Sequence, residues 1–213
     1  MFYEDLRRYI ARSMEESVIL DSIPFDPSIV PYVNRVKNGE PAGRVIRDFM
    51  RTIDSKRTWT LRHNLKSYHV IMNSKFTGHV SAPYKGRTIN DDPDLVTVVT
   101  RILQCLAGLD GLLRNGNPTH LIPDDGHEGK NGEQKHPGYK WVYIEDECEG
   151  EVKGKVMVHI ALPPDEAVNR PKFPESNRVY HVLPEGAENF ANRQKDFDKY
   201  RAAKGEVTVT LND

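Results

Sequence analysis

Between residues 117 and 164 the chain gathers more groups able to bind a metal or move a proton than any other stretch does. It opens with NPTHLIPDDGHEGKNGEQKHPG, where His120, His127 and His136 are interspersed with Asp124, Asp125, Glu128 and Glu133. Neutral imidazole combined with carboxylate suits zinc, iron, nickel or manganese. His120, His127, Glu128 and His136 are therefore the expected metal ligands, and a divalent ion the expected cofactor. Their spacings fit neither a zinc finger nor the His-Glu-x-x-His helix, so only closure of the loop can bring them together. The same loop also holds Pro123-Asp124 (or Asp125) ahead of Glu133-x-Lys135. That is the order of a nuclease in which two acids hold a metal ion and a lysine stabilises the developing charge.

A second group of histidines occupies runs with strand character. In GHVSA, His79 and Ser81 are two residues apart, which on a strand puts both side chains on one face. In MVHIA, His159 has Ala161 in the corresponding place, and His69 and His181 each sit in a Tyr-His-Val run. GHVSA resembles the first of the two His-x-Ser/Thr elements that 2H phosphoesterases carry on paired strands. The resemblance covers two five-residue windows, and Ala161 departs from it by lacking the second hydroxyl. It implies acid–base chemistry on a phosphodiester, with one histidine as base and the other as acid. On this reading His79, Ser81 and His159 are the catalytic candidates, with His69 and His181 as other strand histidines able to fill the role.

Charge supports a phosphate-bearing partner. From 44 to 90 there are ten Lys/Arg against two acids, whereas 117–166 holds eleven acids against five Lys/Arg. Either the two halves neutralise each other in the fold, or the basic part holds a phosphate-bearing ligand. Arg62, Lys66, Lys85 and Arg87 are the expected phosphate contacts, interleaved with Trp59, Tyr68, Phe76 and Tyr84. Cations beside aromatic faces are a common way to hold a nucleotide or a nucleic-acid strand.

These residues need elements to hold them. Apolar residues at helical spacing predict helices over 2–20 and 41–53, and the largely apolar run 94–114 predicts a long buried helix. Residues 55–90 read mostly as strand, including a short run over 76–82. The runs KWVYIED and KVMVHIAL predict a hairpin, NRVYHVL and EVTVTL two more strands, and 186–203 a charged helix. The polar loop over 117–138 separates the two halves. Without a βαβ rhythm, the expected fold is one α+β domain over 1–213: a central mixed or antiparallel sheet, the buried helix against it, and helices at both ends, with 1–54 helical.

Composition narrows the classes. The chain has 213 residues, 38% of them apolar, with two cysteines and a net charge of −1. Its mean hydropathy is −0.63. Two cysteines make no disulfide framework, and no apolar run reaches the ~20 residues that span a bilayer. The expectation is a soluble protein of a reducing, cytoplasmic compartment with no membrane partner. Two functions fit: a hydrolase acting on a nucleotide or nucleic-acid phosphodiester, or a non-catalytic binding or assembly protein, such as a viral or accessory structural component. Histidines gathered in one pocket beside basic residues favour the first, and scattered histidines with an exposed apolar patch favour the second.

Overall fold

A computed structural model of the chain describes residues 22–53, 57–63, 66–124, 136–169, 175–201 and 207–211. The helix expected over 2–20 lies outside them, as do Asp125, His127, Glu128, Glu133 and Lys135. In chain order the elements are α1 (Val30–Lys37), α2 (Ala42–Met50), β1 (Thr58–His63), β2 (Lys66–Ile71), α3 (Ser74–Ser81), α4 (Leu95–Ala107), α5 (Leu109–Asn115), β3 (Asn117–Pro118), β4 (Ile122–Pro123), β5 (Lys140–Cys148), β6 (Gly154–Leu162), α6 (Asp165–Val168), β7 (Arg178–Pro184), α7 (Phe190–Arg201) and β8 (Val207–Leu211).

The fold is α+β. One mixed sheet runs β3-β5-β6-β7-β2-β1-β8, and β4 also pairs with β5. β2 and β7 are parallel and meet only at Ile71 and Arg178, while the other neighbours are antiparallel. Beyond that meeting point α3 packs beside β7. On one face, Val142, Ile144, Val156, Val158, Ile160, Val179 and Val182 pack with apolar residues of α1 to α5 in the main core. On the other, Trp141, Tyr143, Met157, Ala161 and Leu183 form a second cluster with Phe190 and Phe197 of α7. The sheet centre is thus covered on both sides, and β6 is buried almost from end to end.

The structure corrects two elements expected from the sequence. The strand expected over 76–82 is the helix α3. Asn73 caps it by accepting the Phe76 N–H at 3.3 Å, and Phe76 and Val80, one turn apart, both enter the core. The helix expected over 94–114 is two helices, bent by 76° at Gly108. A side chain there could not fit, because a Cβ on Gly108 would lie 2.7 Å from Ile23 Cγ2. Among the described residues, no single helix is long and apolar enough to cross a membrane.

Two polar residues on α4 tie the hairpin and the β7–α7 turn to the core. Arg101 donates to the carbonyls of Val152 at 2.8 Å, Lys153 at 2.6 Å and Glu185 at 2.7 Å. The Gln104 amide, fully buried, donates to the carbonyls of Ile23 and Glu149. Gly154 makes room for this arrangement, since a Cβ there would come within 2.5 Å of the Arg101 guanidinium. A hydrogen bond from a charged donor is worth about 1.5–3 kcal/mol, and carbonyls left without a partner add to the loss. Arg101→Met should therefore lower stability by about 3 kcal/mol or more in urea denaturation. An unchanged midpoint would show that these three carbonyls are satisfied without it.

Candidate functional site

The second sheet face carries two rows of chemically capable side chains. Strand register puts Trp141, Ala161 and Arg178 in one row across β5, β6 and β7, and Tyr143, His159 and His181 in the next. The second row depends on a bulge. Pairing runs regularly to His159↔His181 and resumes at Ile160↔Val179, leaving Tyr180 as the extra residue. Bulges re-aim side chains, and here both Tyr180 and His181 reach the second face. Their neighbours Val179 and Val182 enter the main core.

Tyr180 is the hub of the site. Its ring centre lies 4.1 Å from that of His79 in α3, 5.0 Å from Trp141 and 6.1 Å from His136. The Arg178 guanidinium sits 5.7 Å from the same ring. His159 lies 4.2 Å from Tyr143 and 6.2 Å from His181, measured between ring centres. Three of the expected residues, His79, His136 and His159, therefore come together with His181.

Electrostatics separate these groups. The His181 Nδ1–H donates to the Val182 carbonyl at 2.8 Å, which leaves Nε2 as the lone-pair nitrogen. Burial pushes this imidazole down to about 4; the Val182 bond opposes the shift, while His79 and Arg193 add to it. His181 is thus neutral at physiological pH. Burial also raises the Tyr143 hydroxyl to about 12 and raises that of Tyr180. Glu175 accepts from Arg178 Nη1 at 2.8 Å and from Lys75 at 3.4 Å. Burial tends to raise the Glu175 carboxyl, but Arg178 and Lys75 outweigh it, and the net shift is downward.

His181 also borders a cavity of about 280 Å³ that is lined by Tyr84, Arg87, Asp92, Glu188 and Asn189 among others. One expected phosphate contact, Arg87, therefore shares a cavity with the cluster, held against Asp92 at 2.6 Å. The turn that carries Arg87 is positioned by α2: its carbonyl accepts the Ala42 N–H, and Gly43 lets the helix approach the 82–84 turn, where a Cβ would meet Ser81 O at 2.8 Å.

The remaining expected site residues lie elsewhere. Ser81 does not stand beside His79, because positions two apart on a helix face different directions; its buried hydroxyl donates to the Thr77 carbonyl. His69 is exposed on β2, opposite Thr60 of β1. Arg62 is exposed on β1, and Lys66 is paired with Asp165 at 3.1 Å. Lys85 is exposed in the turn after Tyr84. Of the expected metal ligands, His120 lies between β3 and β4, whereas His136 packs against Tyr139, Trp141 and Tyr180. Among the described residues, no three His, Cys, Asp or Glu gather in a way that could hold a metal ion. Both cysteines are buried, and burial pushes the Cys148 thiol up to about 12.

Tyr180, Trp141, Tyr143 and Arg178 were not expected from the sequence as site residues. The available signal was KWVYIED, whose apolar residues occupy both alternating faces and so call for a second packed layer. No protein-family model matches the chain, and neither curated proteins nor solved structures yield a match.

The depressed His181 value links the site to stability. Its folded value near 4 lies below the ordinary 6.5, so the neutral form is favoured in the native state. That contribution is complete above pH 6.5 and is lost as pH falls toward 4, on the order of 3 kcal/mol for a shift of this size. His181→Gln should flatten the fall in unfolding free energy between pH 6.5 and 4. An acid limb of unchanged slope would contradict the buried neutral imidazole.

Proposed function

We propose that the chain is a small enzyme acting on a nucleotide or nucleic-acid phosphodiester, with its reaction centre at the histidine cluster on the second sheet face. The observation that carries this reading is the gathering of His79 and His136 against Tyr180 beside the His159–His181 pair, next to a cavity bordered by His181 and Arg87. Cleaving a phosphodiester needs one group to take a proton from the attacking hydroxyl and another to return one to the leaving oxygen. Charge repulsion between His79 and His181 favours holding one proton between them, which separates an acid from a base. His181, kept neutral, is the base, and His79, partly exposed on α3, is the acid. His159 braces His181 from the neighbouring strand. Arg87 contacts phosphate oxygens from the cavity, and the aromatic faces of Tyr180 and Trp141 suit a base.

The test is a turnover assay on a panel of cyclic nucleotides, dinucleotides and single-stranded RNA and DNA, with and without divalent ions. His79→Ala and His181→Ala are expected to reduce turnover by about 10²–10⁴-fold with the far-UV spectrum unchanged. Absence of turnover across the panel would reject the reading.

The binding-or-assembly reading has its own supporting observation. Phe25 and Val30 are exposed and line a groove of about 690 Å³ with Val33, Val96 and Val152. If this groove is a contact surface for assembly, sedimentation should show a self-associated species that Phe25→Asp with Val30→Asp dissolves. A monomer in both cases would count against it.

A further inference from the structure

We infer that residues 2–20 of the same chain dock in the groove between α1 and α4. Phe25, 46% exposed, and Val30, 40% exposed, are the large apolar side chains left exposed among the described residues, and both line this one groove. Half-buried Val96 and Val152 and buried Val33 continue its apolar lining. At about 690 Å³ the groove is too large to be a packing defect, and apolar surface concentrated in this way gains from being covered.

The stretch before Ser22 supplies a matching cover. In FYEDLRRYIARSMEESVIL, Phe2, Leu6, Tyr9, Ile10 and Met14 recur at helical spacing, so the sequence predicts an apolar stripe with Glu4, Arg8, Arg12 and Glu15 on the opposite side. Its point of entry is fixed beside the groove. The Ile23 N–H donates to the Glu147 carbonyl at 2.7 Å, the Ile23 carbonyl accepts from the Glu149 N–H at 2.9 Å, and the Ser22 hydroxyl donates to the Glu149 carboxylate. The backbone bends at Ser22, and Phe25 and Gly150, just beyond these bonds, already line the groove. Three residues separate position 20 from Ile23, roughly 10 Å of extended chain. So short a tether sets an effective concentration on the order of millimolar, which favours this segment over a second copy. Charge disfavours other partners. The charged residues lining the groove, Lys37 and Glu151, are of opposite sign, whereas a nucleic-acid strand or an anionic lipid surface calls for positive charge alone.

The groove shares no residue with the histidine site, so the inference rests on neither functional reading. It gives the groove an occupant within the chain in place of a second protomer. The experiment is hydrogen exchange read by mass spectrometry on the full chain, at two protein concentrations tenfold apart, with sedimentation on the same samples. The expected result is a monomer whose 2–20 amides exchange about tenfold or more slowly than in a free peptide of that sequence, equally at both concentrations. Val30→Asp puts a charge on the groove wall and should remove most of that protection, as the loss of one buried valine contact implies. If that variant fails to fold, Val152→Asp tests the opposite wall. Fast exchange over 2–20 in the unsubstituted chain, or protection indifferent to a folded groove variant, would overturn the inference. So would protection that grows with concentration alongside a dimer, since a second copy would then fill the groove.

Discussion

The register shift between β6 and β7 is the constraint on which the site depends. Strand geometry alternates side chains between faces, so an unbroken β7 could not put Tyr180 and His181 on the same side. The extra residue at Tyr180 puts both on the second face while Val179 and Val182 still reach the main core. His181 thereby pairs across to His159, and Tyr180 reaches His79 and Trp141. A regular β7 would lose the cluster and turn one of these two valines away from the core.

Burial on both faces then determines the chemistry. α7 covers the second face through Phe190 and Phe197, and α3 packs beside β7 where β2 ends. In such surroundings an imidazole loses its proton readily and a phenol keeps its own. That is why His181 is neutral and why Tyr143 and Tyr180 retain their hydrogens at physiological pH. The same exclusion of water makes any donor without an acceptor costly.

Much of the scaffold was legible from local patterns. The β5–β6 hairpin, β7, β8, α2 and α7 follow from alternation and helical spacing within short windows, and the α+β class follows from their order. Where local pattern and tertiary context diverged, the context prevailed. Phe76 and Val80 suit a strand by residue type, but Asn73 caps a helix that buries both on one side. The run 94–114 is apolar enough for one helix, yet contact between Gly108 and Ile23, distant in sequence, bends it. At the site, His79 and His159 were visible as residue types, but their meeting was not, because it depends on a bulge and on α3 packing against β7. The basic stretch by itself fits either a phosphate surface or neutralisation within the fold, and ion pairs account for part of it: Lys66 with Asp165, Lys75 with Glu175, and Arg51 with Asp48.

The central claim is that these histidines form one electrostatically coupled cluster with His181 held as a neutral base. Nitrogen-resolved NMR titration of the eight histidine side chains tests it most directly. The account predicts that His181 stays in the Nδ1–H tautomer down to about pH 4, and that His79→Gln moves its titration upward. A His181 that titrates near its ordinary value, indifferent to His79, would contradict it.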